Sequence, residues 1–203
     1  AFATWGLVPI YWKLLRKIPA LEILAHRFVW TLMFLGVLLS WQRRWPEVIA
    51  NLRSRRSALF CFGSGVMVSV NWLLFIWAVN IGRVLETSLG YFMTPLVNVL
   101  LGAVILRERL SAWQIASILI AAIGISVLAV GYGHFPSIAV GICASFGLYG
   151  LLRKQSGTAA IPGLFLETMF LLPLAIFYLA LLASRDVLTF GPSHLSVSII
   201  LMT

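Results

Sequence analysis

The chain has 203 residues, of which 61% are hydrophobic and only 10% are charged. Soluble domains carry about a quarter charged residues, so this composition excludes a soluble globular domain and predicts an all-α integral membrane protein. The net charge of +9 could suggest nucleic-acid binding. Most basic residues fall between apolar runs, however, so topology and contact with membrane lipid explain them better, and we expect no nucleic-acid partner.

The apolar runs predict seven transmembrane spans and the start of an eighth. In chain order they are Ala1–Leu15, Leu21–Trp41, Ser57–Val79, Leu85–Leu106, Ala112–Val130, Pro136–Leu152, Ile161–Ala183 and Leu195–Thr203. A helix needs about twenty residues to cross the hydrocarbon core, and the first and last runs are shorter. We therefore expect the chain to be a fragment that begins and ends inside spans.

Lys and Arg are unevenly distributed over the connections. The loops are named by the spans that they join. Loops 2–3, 4–5 and 6–7 hold more Lys and Arg residues than the remaining loops, and Arg153 is one of those in loop 6–7. Cytoplasmic loops carry this excess, which puts loops 2–3, 4–5 and 6–7 in the cytoplasm. In loop 2–3, Trp45, Val48, Ile49 and Leu52 recur at helical spacing, which predicts a short amphipathic helix anchored in the cytoplasmic interface.

The fourth span combines an uncharged run with a polar stripe. Thr87, Tyr91, Thr94 and Asn98 recur every three or four residues, which places them on one helical face beside Pro95. A lipid-facing helix does not need such a stripe, whereas a helix beside a wet cavity or a polar neighbour does. The alternative is a structural helix whose hydroxyl groups bond back to carbonyls of their own helix.

Two spans carry charged residues at matching depth. Glu22 and His26 share one face of the second span, Arg27 lies beside them, and Glu86 begins the fourth span. Charges inside a membrane are tolerated when they are paired or wetted, so we expect one cluster in the outer half. Glu86 or Glu22 would be the counter-ion of Arg27, and His26 would gate their protonation. Alternatively, Arg27 snorkels to the outer interface and Glu22 caps its helix.

Further polar residues inside the apolar runs are candidates for a substrate or ion pathway. Glu167 lies a few residues into the seventh span from the cytoplasmic side. Asn71 and Trp72 lie mid-way through the third span, where hydrogen bonding between helices is the alternative role of the amide. The sixth span carries a stripe of small residues that is more typical of close packing, with Tyr149 as its candidate lining residue.

Catalytic and cofactor-binding motifs are absent from the sequence. There is no HExxH, GxSxG or phosphate-binding glycine loop, and the only aspartate, Asp186, lies in a connection. Cys61 and Cys143 lie in separate apolar runs without a partner at motif spacing, which indicates neither a disulfide framework nor a zinc site. We therefore expect no enzyme activity, no cofactor and no metal.

Residue pairs near the start of the chain recur in its later part. Trp5-Gly6 with Lys13 is matched by Phe146-Gly147 with Lys154, and Leu21-Glu22 by Leu166-Glu167. The first and second spans thus resemble the sixth and seventh, which makes a unit of five spans. Because five is odd, the two copies would cross the membrane in opposite directions, as in the inverted repeats of secondary transporters. We predict a first five-helix repeat at 1–130 and the start of a second at 136–203.

Several segments share a pattern with a known family. They are PALEILAHR at 19–27, NWLLFIWAVN at 71–80, ETSLGYFMTPLVNVLLG at 86–102, RERL at 107–110, FGLYGLLRK at 146–154 and LET at 166–168. These segments resemble RarD-like proteins of the EamA branch of the drug/metabolite transporter (DMT) superfamily. The resemblance implies ten transmembrane helices in two inverted five-helix repeats, in a bacterial inner membrane. It indicates neither substrate nor coupling ion nor direction.

The sequence therefore predicts an alternating-access secondary transporter, a permease or exporter, for small metabolites or drug-like molecules. Expected partners are membrane lipid and a small-molecule substrate, with protons as the candidate coupling ion and a homodimer left open. The candidate pathway residues are Glu22, His26, Arg27, Asn71, Trp72, Glu86, Tyr91, Thr94, Asn98, Tyr149 and Glu167. The alternative from another class is a non-transporting structural or accessory membrane protein.

Overall fold

A computed structural model describes residues 18–107, 109–131 and 135–185, apart from the side chains of 128–130. Within these ranges the chain forms seven α-helices. They are α1 (Ala20–Trp41), α2 (Trp45–Arg53), α3 (Arg55–Asn80), α4 (Val84–Ile105), α5 (Ala112–Gly131), α6 (Ser137–Ser156) and α7 (Ala160–Ser184). The predicted second to seventh spans correspond in order to α1, α3, α4, α5, α6 and α7. The predicted first and eighth spans, Ala1–Leu15 and Leu195–Thr203, lie outside the described residues.

The outer surface of the helices is apolar. Four helices, α1, α3, α4 and α7, are long and apolar enough to cross a membrane. Phe34, Val104 and Phe177 are 67%, 74% and 65% exposed on three of them. A water-soluble bundle would place polar side chains at such positions, because its apolar stripe faces the core. The fold is therefore an integral membrane bundle of helices.

The bundle is organised around α3, which packs against α1, α2, α4, α6 and α7. On one side of α3, α1 packs on α7, and on the other side α4 packs on α6. α5 packs mainly against α4 and lies at the periphery. The most extensive pairs, α4–α6, α3–α6 and α1–α7, each join a helix that precedes residue 132 to one that follows it.

The two ends of the bundle differ. At the end called here the α2 end, Trp45 of α2 packs edge-to-face on Phe165 of α7, with ring centroids 5.3 Å apart. Loops 2–3 and 6–7 therefore lie at the same end. At the opposite end, called the Glu86 end, Ile23 near the start of α1 packs in one cluster with Ile76 near the end of α3. Val84 at the start of α4 packs against that cluster.

The predicted amphipathic helix of loop 2–3 is confirmed as α2. Arg44 donates to both carboxylate oxygens of Glu47 at 2.7 Å, and this hydrogen bonding lowers the pKa of the Glu47 carboxyl. Only Val48 is buried, at 2% exposure, where it packs between α1, α3 and α7. Ile49 is 48% exposed. The apolar side of α2 is thus divided between the bundle and its surroundings, and the predicted anchoring in the interface stays a prediction.

A glycine allows α4 and α6 to approach closely. A Cβ atom added at Gly90 would lie 2.9 Å from the backbone oxygen of Ala139 and 2.9 Å from Ile142 Cβ. The backbone oxygen belongs to α6 and cannot rotate away, as the end of a flexible side chain could. Any larger residue at this position must separate the two helices.

We expect Gly90→Ala to lower the free energy of unfolding by about 1–3 kcal/mol, because the added methyl overpacks this crossing. The matched control is Gly124→Ala on α5, where an added Cβ meets no atom within 4 Å. The control should be neutral or slightly stabilising, since alanine favours a helix over glycine. Thermal unfolding in detergent measures both variants, and equal midpoints would contradict the close approach of α4 and α6.

Candidate functional site

A cavity of about 980 Å³ lies between α1, α3, α4, α6 and α7. Its lining includes six of the candidate pathway residues: Arg27, Asn71, Trp72, Tyr91, Tyr149 and Glu167. Hydroxyl groups of Ser69 and Thr168, which the sequence analysis did not select, add further hydrogen-bonding capacity. A volume of this size lies within the range of small-molecule sites, about 300–1,000 Å³.

One wall of the cavity is a continuous row of aromatic rings. Neighbouring ring centroids are 5.9 Å apart for Trp72 and Phe75, 5.9 Å for Phe75 and Tyr91, 6.1 Å for Tyr91 and Phe146, and 5.6 Å for Phe146 and Tyr149. These separations suit edge-to-face and tilted packing of aromatic rings. Neither Phe75 nor Phe146 could be predicted here, because a phenylalanine in an apolar span gives no signal that it lines a cavity.

Arg27 stands at the Trp72 end of this row. Its Cζ atom lies 3.9 Å from the centroid of the Trp72 ring, within the range of a cation–π contact. In the sequence the two residues lie on different predicted spans, at positions that no spacing relates. Their contact depends on the rotation of α1 against α3, which the spacing of residues along either helix does not specify.

Asn71 joins three helices. Its Nδ2 donates to the Ile142 carbonyl at 2.9 Å and to Ser145 Oγ at 3.2 Å, and Tyr91 Oη donates to Asn71 Oδ1 at 3.2 Å. The side chain is 1% exposed. The alternative role given to Asn71, hydrogen bonding between helices, is therefore confirmed. The same residue also lines the cavity.

Glu167 of α7 is buried toward the α2 end of the cavity. It is 1% exposed, and its Oε1 accepts from Ser64 Oγ at 2.7 Å and from Arg153 Nη1 at 3.1 Å. Ser64 can reach Glu167 because α3 carries Gly65 at this crossing. A Cβ added there would lie 3.0 Å from the backbone oxygen of Glu167. The carboxylate is thus held by one hydroxyl and one guanidinium.

Arg153 was predicted to be a loop charge, but its side chain turns back into the bundle and is only 18% exposed. Besides Glu167, it donates to Thr158 Oγ1 at 3.2 Å and to the carbonyls of Ala159 and Ala160 at 3.1 and 2.7 Å. Space for the guanidinium exists because residue 163 is glycine, and a Cβ there would overlap it. The sequence carries a signal for this pair: the helix whose last turn holds Arg153 and Lys154 is followed closely by an acid, Glu167, about two turns into the next helix.

Three ionisable candidates near the Glu86 end, Glu22, His26 and Glu86, are not among the residues that line the cavity. Glu22, His26 and Glu86 are 0%, 6% and 0% exposed. Glu86 Oε1 accepts from Arg83 Nη1 at 3.2 Å, so the ion pair that the structure shows for Glu86 is with Arg83. Residues three apart at the start of a helix lie side by side, which favours the local partner. That Glu86 or Glu22 is the counter-ion of Arg27 stays a prediction.

The polar stripe of α4 divides between two surroundings. Thr87 and Tyr91 line the cavity, whereas Thr94 and Asn98 are not among its lining residues. Thr94 is 5% exposed and donates to the Gly90 carbonyl at 3.0 Å, as the alternative for this helix proposes. Asn98 Oδ1 would lie 3.5 Å from a Cβ built on Gly147, so it faces α6. The second half of the stripe therefore lies outside the cavity lining, and Asn98 in this half faces α6.

The sequence is similar to known proteins over most of its length. The profile of the EamA-like transporter family matches residues 1–130. An uncharacterized transporter of Vibrio cholerae serotype O1 is 45% identical over 90% of this chain and 61% of its own length. The uncharacterized transporter YojE of Bacillus subtilis strain 168 is 43% identical over 88% of this chain and 61% of its own length. Protein RarD of Salmonella typhi is 42% identical over 100% of this chain and 69% of its own length.

The chain therefore belongs to the EamA-like transporter family, a class of multi-pass bacterial membrane proteins, and within that family it is RarD-like. It spans about three fifths of the length of the Vibrio and Bacillus relatives. No solved structure matches the chain. The family and the names of these relatives point to a transporter, not an enzyme.

Proposed function

We propose that the full-length protein is a secondary-active transporter, a permease or exporter, that moves small metabolites or drug-like molecules by alternating access. The observation that carries this proposal is the cavity of about 980 Å³ inside a membrane bundle. Its lining is mainly apolar, with one aromatic wall and a few polar groups at defined positions, which is the usual character of a small-molecule site. Membership of the EamA-like transporter family supports the same reading.

The proposed architecture has ten transmembrane helices in two inverted repeats, with the first repeat at 1–130 and the start of the second at 136–203. The predicted repeat relates α1 to α7, and these two helices pack directly on each other. Helices related by a two-fold axis between inverted repeats are expected to meet in this way. In this proposal the protein lies in the bacterial inner membrane with its α2 end in the cytoplasm.

The proposed roles of the candidate residues follow from their positions. The six that line the cavity would contact the substrate. Glu22, His26 and Glu86 are buried near the Glu86 end, where a proton-linked step would be placed, since buried ionisable groups in membrane spans mark such relays. Thr94 and Asn98 would adjust the α4–α6 contact. The proposal includes protons as the coupling ion and leaves a homodimer open. Both points can be tested on protein reconstituted into membranes.

Transport by the full-length protein in proteoliposomes tests the function. Flux of amino acids and small amphiphiles is followed with and without a proton gradient. Concentrative uptake that falls at least about tenfold in Tyr91→Ala, but not in Val104→Ala on the exposed face of α4, would support the proposal. Saturable binding without flux would favour the non-transporting accessory protein.

We expect cysteines at the two ends of the bundle to differ in access from outside the cell. In full-length protein whose Cys61 and Cys143 are replaced by alanine, Arg55→Cys should resist an impermeant maleimide added to intact cells. Ile81→Cys, in the turn between α3 and α4, should be labelled, since this residue is 44% exposed at the Glu86 end. The opposite pattern would reverse the proposed orientation.

A further inference from the structure

Glu167 is held through only one of its two carboxylate oxygens. Oε1 accepts both hydrogen bonds, from Ser64 at 2.7 Å and from Arg153 at 3.1 Å. Oε2 is buried and has no hydrogen-bond partner among the residues that the structure describes. Buried polar atoms are almost always hydrogen-bonded, so an orphaned carboxylate oxygen beside a cavity indicates a missing donor.

Two donors near Glu167, those of Arg153 and Thr168, already make other hydrogen bonds. Arg153 directs Nη1 to Glu167 and Thr158, and Nη2 to the carbonyls of Ala159 and Ala160. Thr168 donates to the Leu164 carbonyl at 2.8 Å. These bonds fix the orientation of the carboxylate while leaving Oε2 for a ligand. The site is thus organised before any ligand arrives, which reduces the entropy lost on binding.

The chemistry around Oε2 selects a cationic donor. An ionised carboxylate only accepts hydrogen bonds, and its bonds to charged donors are the strongest that it makes. Tyr149 and Phe146 line the same cavity, and aromatic faces attract ammonium groups. A protonated amine satisfies both features, whereas a carboxylate or phosphate group would be repelled by Glu167.

Arg27, which also lines the cavity, lies too far from Glu167 for the two to bind one small zwitterionic head group together. Glu167 is bonded to Ser64 and Arg27 lies over Trp72, and these two α3 residues are eight positions apart. At 1.5 Å per residue the two levels are separated by about 12 Å. The ammonium and carboxylate of one α-amino acid group cannot reach both levels. The amine is therefore recognised at the α2 end without help from Arg27.

We propose that Oε2 of Glu167 binds a protonated amine of the transported molecule, whose apolar or aromatic part lies along the row of rings from Tyr149 toward Trp72. The inference deepens the proposed function by naming a substrate class. Binding of the amine, however, depends only on the cavity and can be measured without transport.

The test compares amines with alcohols of the same shape on full-length protein in detergent. The probes are phenethylamine, tyramine and tryptamine, each paired with the alcohol that replaces its amino group, and binding is measured by calorimetry. For at least one pair we expect the amine to bind about tenfold or more tightly than the alcohol. Glu167→Gln should remove this preference, and Glu47→Gln, which changes an exposed carboxylate on α2, should keep it. Ser64→Ala leaves Oε2 in place and should keep a preference for the amine.

Equal binding of amine and alcohol in every pair, or a preference that survives Glu167→Gln, would overturn the inference. The comparison on unmodified protein decides the matter even if Glu167→Gln fails to fold. Amine-selective binding without any flux in proteoliposomes would uphold the site and contradict the transporter. Flux of amine-free molecules that is unchanged by Glu167→Gln would contradict the site alone.

Discussion

Arg153→Met should lower the free energy of unfolding by about 3–5 kcal/mol, the largest effect that we expect from a single substitution in the described chain. Arg153 donates to Glu167, Thr158, Ala159 and Ala160, and its loss leaves the carboxylate of Glu167 buried without its counter-ion. Equilibrium unfolding in detergent measures the change. Lys154→Met is the matched control, because Lys154 is an exposed neighbour on the same turn of α6.

Two further variants separate the ion pair from a general effect of mutation. Arg153→Met combined with Glu167→Gln should recover part of the loss, because residues in one network are not additive. Gly163→Ala keeps both charges but places a methyl group where the guanidinium lies, so it should weaken the same pair. A double variant equal to the sum of its single variants would show that Arg153 and Glu167 do not interact in the membrane.

Asn71→Leu should also lower the free energy of unfolding, by about 1–3 kcal/mol. Hydrogen bonds between membrane helices contribute about 0.6 kcal/mol each on average, and Asn71 takes part in three. Leucine has a similar volume, so the change removes polar contacts without opening a large void. Asn98→Leu is the control: Asn98 is exposed where α4 faces α6, so its replacement should cost less than that of the buried Asn71.

A double-mutant cycle isolates the contact between Asn71 and Tyr91. Tyr91→Phe removes the hydroxyl that donates to Asn71 Oδ1 at 3.2 Å and keeps the ring in the aromatic row. In the Asn71→Leu background this hydroxyl has already lost its acceptor, so Tyr91→Phe should have a smaller effect there. An unchanged effect of Tyr91→Phe in that background would contradict the hydrogen bond between α3 and α4.

The sequence predicts the helices well because their boundaries depend on local chemistry. Uninterrupted apolar runs of about twenty residues can satisfy their backbone in lipid only as helices. The break at Gly157, where φ is +64°, ends α6 in the left-handed conformation that glycine adopts without strain. The apolar spacing within 45–53 likewise specifies α2.

The candidate site is predicted less completely, because a helical stripe shows which residues share a face but not which neighbour that face meets. Thr94 and Asn98 share a stripe with Tyr91 yet do not line the cavity: Thr94 bonds back to its own helix and Asn98 faces α6. In the sequence Arg153 stands between two apolar runs, as the charged residues of loops do. Only the position of α7 in the structure shows that it pairs with Glu167. Phe75 and Phe146 have no sequence feature that distinguishes them from phenylalanines facing lipid.

The packing of early helices against late ones has a consequence for how the chain assembles during synthesis. Among the described helices, the main neighbour of α1 is α7, which begins about 140 residues after α1 begins. A ribosome adds about 5–20 residues per second, so α1 waits roughly 7–28 s in the membrane before α7 exists. Through part of that interval Asn71 also lacks Ile142 and Ser145 as partners. Lipid, or an insertion chaperone, must cover these surfaces until α6 and α7 have been synthesised. A ribosome that stalls before Ala160 therefore leaves an intermediate whose helix faces lack their partners and which is open to degradation.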